Sequence, residues 1–172
     1  VIIPSKEMPT PPPVAEASKY RVYELPLEAP SFGSSTIAVS PYDPEASPYG
    51  WHDLDGQDGV DNTTLQGNNA YAFNDNDGNY QADSEVDGGQ DLVFDKVFDQ
   101  SLEPQESKEA AAVNLFYRVN KMLDFSYHFG FDEQSGNFQL NNYGKGGQGL
   151  DFVKAMSQYG NGSADYKNNA DF

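Results

Sequence analysis

The sequence contains no cysteine, so it can build neither a disulfide framework nor a thiolate metal site. Histidine is almost as scarce. Only His52 and His128 occur, and no His-Glu-x-x-His is present, so a zinc site of three protein ligands at helical spacing cannot be assembled from this chain. Bases are few as well. Ten Lys and Arg stand against 27 Asp and Glu, and the resulting charge of −17 repels phosphate backbones and anionic lipid surfaces. Nucleic acid and membrane are therefore excluded as partners. No apolar run is long enough to cross a bilayer. Val1-Ile2-Ile3-Pro4 lacks the basic and extended apolar stretches of a signal peptide, so the chain reads as a processed or excised product. Two further chemistries lack their signatures. Gly144-Lys145-Gly146-Gly147-Gln148-Gly149 has turn glycines without the spacing of a phosphate loop, and no Ser or Cys nucleophile motif accompanies either histidine.

What is present is enough for one ordinary domain: 172 residues with 11 Tyr, 11 Phe and one Trp to fill a core. Residues 1–19, with Pro4, Pro9, Pro11, Pro12 and Pro13, read as an extended linker. The globular part, 20–172, opens on Tyr20-Arg21-Val22-Tyr23-Glu24-Leu25, which alternates at the period of a half-buried strand. From Thr36 to Val93 short strand-like pieces are separated by Gly and Pro turns, and a further strand is expected through Phe152-Val153-Lys154-Ala155.

One segment breaks this irregular pattern. Between Glu106 and Phe129 the polar residues Asn114, Arg118, Lys121, Asp124 and His128 recur at helical intervals and form one narrow stripe. Almost everything else there is apolar, including Val113, Phe116, Val119, Met122, Phe125 and Phe129, which predicts a central helix packed on more than one side. Glu103, Glu106 and Glu109 suit its positive end, and Gly130 can end it. The fold class is α+β: an irregular β-rich lobe around one long helix. His128, near the helix C-terminus, and His52, beside Trp51, read as structural.

Two acidic turn clusters could hold calcium, which needs several converging oxygens. They are Asp53, Asp55, Asp58 and Asp61, and Asp75, Asp77, Asp83 and Asp87. Neither fits the twelve-residue helix-loop-helix pattern, because Gly78 is fourth from Asp75 rather than sixth.

Several segments in order resemble the start of the catalytic domain of the fungalysin family of secreted zinc metallopeptidases. They are Tyr20-Arg21-Val22-Tyr23, Ala46-Ser47-Pro48-Tyr49-Gly50-Trp51-His52, Thr63-Thr64-x-x-Gly67-Asn68-Asn69-Ala70, and Asn114-Leu115-Phe116-Tyr117-x-x-Asn120-Lys121-Met122-x-Asp124. Gly136-Asn137-Phe138-Gln139, Asn141-Asn142-Tyr143-Gly144 and the terminal Asn168-Asn169-Ala170-Asp171-Phe172 complete the set. Leu123 stands where that pattern has a histidine, and Asp171 where it more often has Asn.

The resemblance implies the N-terminal lobe of a thermolysin-like fold. In such a lobe Asn169, by its amide, and Ala170, through its main chain, would line the cleft and pair with a peptide or protein substrate by strand addition. It also implies an extracellular location and a partner, the C-terminal lobe that carries the catalytic zinc. No residue of this chain would be catalytic or bind that zinc, and the segment alone would be inactive. The alternative is a non-enzymatic extracellular module that binds calcium or another protein through the same acidic turns.

Overall fold

The computed structural model describes residues 17–162; the proline-rich stretch before them, and Asn169 and Ala170, lie outside. Strand β1, Lys19–Val22, is the centre of a three-stranded sheet. It pairs antiparallel with β2, Thr36–Val39, and parallel with β4, Val93–Phe94. A second sheet pairs β3, Ala70–Asn74, with β5, Val153–Ser157, in parallel. Helix α1, Lys108–Tyr127, follows a 3-10 turn at Pro104–Ser107 and packs against β1, β3 and β5, so it joins the two sheets. The chain is thus α+β, with one helix between two small sheets.

The alternation read in the first strand is real. Tyr20 and Val22 point inward and are fully buried, with Phe94, Leu65, Val113, Phe116 and Trp51 around them. Tyr20 stacks on Phe94 at 5.3 Å, and its hydroxyl meets Nε2 of His52 at 2.7 Å. His52 lies wholly inside this aromatic core. Burial pushes its pKa down to about 4, against hydrogen bonds with the Thr64 and Gln66 backbone, so it is a neutral core residue.

The helix begins where its acids stand. Glu103 and Glu106 form a reciprocal capping box around the 3-10 turn, which satisfies N–H groups that the first turn leaves unpaired. It ends at Tyr127, and just beyond it Gly130 turns the chain at a φ of +92° that suits glycine, with the Phe131 N–H closing on the Ser126 carbonyl at 3.1 Å.

The polar stripe is the main departure from a simple amphipathic helix, because it faces the protein. Asn114 accepts the Tyr23 N–H at 2.9 Å, Arg118 donates to the carbonyls of Tyr23 and Leu27, and Lys121 donates to that of Pro41 at 3.1 Å. Asp124 takes the most. Its carboxylate accepts the Asp43 N–H at 2.9 Å, the Ser47 hydroxyl at 2.8 Å and the Trp51 indole N–H at 2.9 Å. The first half of the stripe therefore fastens 23–27, and the second half fastens the loop 41–52, along the helix.

Packing on all sides holds for the first turns only. Val113 and Phe116 are buried, yet Met122, Phe125 and Phe129 are 55%, 59% and 77% exposed, the two phenylalanine rings lying 4.8 Å apart. The apolar content of the last turns thus overstates their burial, because the neighbouring loops are held by the polar stripe instead.

Two predictions follow from this seam. Asp124→Ala would strand three donors, two of them on buried side chains, so a loss of about 3–5 kcal/mol is expected in urea unfolding, with Asp124→Asn losing less. At the helix end, His128 Nε2 meets Asp43 Oδ2 at 2.9 Å, and the Asp43 carboxylate raises the His128 pKa. Since the folded value exceeds the ordinary one of about 6.5, this contribution is complete below that pH and is lost as pH rises through the folded value. His128→Gln should therefore be less stable than the parent at about pH 6, and the difference should shrink as pH rises above the ordinary histidine value, in thermal melts.

Candidate functional site

The loop fastened by Asp124 leads directly into the first acidic turn. There the side chain of Asp53 is buried, its Oδ1 accepting the Gly56 N–H at 2.8 Å and its Oδ2 the Tyr143 hydroxyl at 2.7 Å. Asp61 reaches back to accept the N–H groups of Leu54 at 2.7 Å and Asp55 at 3.0 Å. The second acidic turn repeats this design. Asp75 is buried and accepts from Gly78 N–H at 2.8 Å, while Asp83 accepts from Asn76 and Asp77. Even the side-chain clasp recurs: Gln57 Nε2 on Asp55 Oδ2 at 2.8 Å, and Asn79 Nδ2 on Asp77 Oδ2 at 2.9 Å.

The two loops therefore share one pattern, Asp-x-Asp-Gly-x-x-x-x-Asp, at 53–61 and 75–83. Its glycine is required in both places. Gly56 sits at φ +77° and Gly78 at φ +74°, a backbone region that a side chain rarely adopts. Sequence reasoning named the acids without seeing the repeat, although the shared spacing was there to be found.

Each loop brings carboxylate oxygens of three residues within 4.8 Å of one another: Asp53, Asp55 and Asp61 in one, Asp75, Asp77 and Asp83 in the other. Asp58 and Asp87 stand outside these groups. Burial raises the pKa of Asp53, opposed by the Tyr143 and Gly56 hydrogen bonds, and the carboxylates of Asp61 and Asp55 raise it further. Such crowding is relieved by a cation. The donor sets are purely oxygen, which suits calcium and not zinc, since zinc sites of this kind are built on His and Cys. Zinc therefore does not fit either loop.

Both loops brace segments that follow the helix. Tyr143, held by Asp53, also receives the Asn68 amide at 3.0 Å, and Asn68 exchanges two further bonds with the Asn141 backbone, at 2.9 and 2.7 Å. Asn69 donates to Ser47 Oγ at 3.0 Å and accepts from Gln139 Nε2 at 3.2 Å. With Ser47 bound to Asp124, one polar network runs from the helix through Ser47 and Asn69 to Gln139. Five segments of the sequence motif, those at 46–52, 63–70, 114–124, 136–139 and 141–144, thus meet in space. The second loop holds the far end of β5, where Tyr159 Oη donates to the Gly78 carbonyl at 3.2 Å. Gly160 N–H bonds the Asp75 carbonyl there as well, at 3.1 Å.

The fungalysin metallopeptidase (M36) family matches residues 19–172. Extracellular metalloproteinase 2 of Trichophyton tonsurans is 35% identical over 164 residues, and that of Arthroderma gypseum is 37% identical over 164. In both cases 91% of this chain and 24% of the relative are covered. A probable extracellular metalloproteinase 5 of Trichophyton verrucosum is 38% identical over 161 residues, 89% of this chain and 23% of the relative. The chain spans about a quarter of the length of the curated relatives it matches. With the match running from the first strand through the helix and the network around Asp124, this chain belongs to the fungalysin family of metallopeptidases.

Proposed function

We propose that this chain is the N-terminal, substrate-aligning part of a secreted zinc metalloendopeptidase that hydrolyses peptide bonds. The observation that carries this reading is the family match over 19–172, on a chain with no His-Glu-x-x-His of its own. In the whole enzyme that motif would supply the zinc, whose role is to activate water and polarise the scissile carbonyl. The partner is the zinc-binding lobe. The names of the relatives support an extracellular setting.

Within this part, Asn169 and Ala170 would align an extended substrate, Ala170 by main-chain hydrogen bonds and Asn169 by its amide. Upstream of them in sequence, the parallel β3–β5 pair has its far end tied to the second acidic loop. Asn169→Ala in the whole enzyme should lower kcat/KM about 10–100-fold, or about 1.4–2.7 kcal/mol; unchanged kinetics on peptide substrates would remove Asn169 from the cleft. This chain purified alone should leave casein intact even with zinc supplied, and chelator-sensitive cleavage by it would overturn the reading.

Calcium is the cation that the two acidic loops would hold in this setting, in support of the lobe and not of the chemistry. Calcium at about 100 times its dissociation constant would stabilise the fold by about 2.7 kcal/mol for each site. A rise in melting temperature with calcium, reduced by Asp55→Asn and by Asp77→Asn, is expected in calorimetry. An identical melting temperature in calcium and in chelator would exclude both loops.

A further inference from the structure

Asn62-Thr63-Thr64 is an Asn-x-Thr tripeptide without proline at its centre, the acceptor pattern for N-linked glycans in secreted proteins. The pattern alone is common; what distinguishes this copy is its fold. Asn62 lies in irregular backbone, next to the exposed Asp61 and ahead of the isolated bridge at Thr64, and is only half-buried. Its Oδ1 accepts the Thr64 N–H at 2.8 Å and the Thr64 hydroxyl at 2.9 Å. One of its two Nδ2 hydrogens goes to Gln66 Oε1 at 3.0 Å.

An asparagine amide carries two such hydrogens. The second has no partner among the described residues, so a substituent in its place would leave all three bonds standing. Thr64 is the residue whose hydroxyl the acceptor pattern requires, and here that hydroxyl rests on the same asparagine. Modification would thus cost the folded loop no hydrogen bond, and the polar, half-open position gives the sugar a route to solvent.

We propose that Asn62 is an N-glycan acceptor, which rests on the reading of the parent enzyme as secreted. The ligand is an oligosaccharide carried on a polyprenyl diphosphate. A bond forms between Asn62 Nδ2 and the anomeric carbon of the first sugar, while the bond from that carbon to the diphosphate oxygen breaks. The polyprenyl diphosphate leaves, the displaced amide proton passes to a base, and nothing is oxidised or reduced. The glycan then stands beside the first acidic loop and covers its approach.

The test is peptide mapping of the whole enzyme secreted from a fungal host, using peptide N-glycosidase in heavy-oxygen water, which turns a glycan-bearing asparagine into labelled aspartate. Label at Asn62 is expected. Asn62→Gln and Thr64→Ala should each remove one glycan from the intact mass, whereas Thr64→Ser should keep it. The wild-type map decides the matter even if a variant fails to fold. Peptide hydrolysis is measured on the same material. Secreted, active enzyme with unlabelled Asn62 overturns the glycan assignment alone, while labelled but inactive enzyme overturns the peptidase reading and leaves the glycan. The second tripeptide, Asn161-Gly162-Ser163, is resolved as a separate peptide, so a glycan found only there also overturns the assignment to Asn62.

Discussion

A carboxylate in the last turn of a helix meets the negative end of the helix dipole, and burial there adds a second penalty. Asp124 occupies such a position because three donors of one loop converge on it: the Asp43 backbone, the Ser47 hydroxyl and the Trp51 indole. Burial raises its pKa, and those hydrogen bonds together with the nearby Lys121 oppose the rise. Much of the lobe depends on this balance. The loop it fixes carries Trp51 and His52 into the aromatic core, then delivers Asp53 to the first acidic turn. Through Ser47 the same carboxylate reaches Asn69 and Gln139, and so the segment after the helix.

The arrangement explains why a region so rich in turns holds a defined shape. Regular pairing is sparse: no strand among the described residues exceeds five residues, and β4 has two. Side-chain hydrogen bonds to backbone take over the fixing of loops that a larger sheet would supply. Acidic turns do this twice with one geometry, their carboxylates accepting N–H groups of their own loop. The repeated pattern gives a strongly acidic chain a structural use for part of its charge. It also makes each loop a set of converging carboxylate oxygens.

How far the sequence disclosed this differs from element to element. The strand at Tyr20 and the helix were legible because their periods, two and 3.6, are written in side-chain polarity. The acids at the helix start and Gly130 at its end marked the limits to within two residues. The parallel pairing of β3 with β5 was hidden, since partners some eighty residues apart leave no local trace. The meaning of the polar stripe was hidden for a related reason. Periodicity tells which residues share a face but not whether that face meets water or a loop, and here Asp124 is buried while Phe125 is exposed. Asp53, Asp55 and Asp61 were legible as a cluster, as were Asp75, Asp77 and Asp83, because close spacing alone brings them together. Their common design became evident only from the bonds to Gly56 and Gly78.

The central claim is that the carboxylate of Asp124 holds the 41–52 loop as an integral part of the lobe. Hydrogen exchange at the Trp51 indole N–H tests it most directly, because that proton is donated to Asp124. The account predicts exchange only through global unfolding, with a free energy of opening equal to that measured by denaturant. Exchange at a rate near that of free indole, while the core amides of β1 and α1 stay protected, would contradict it.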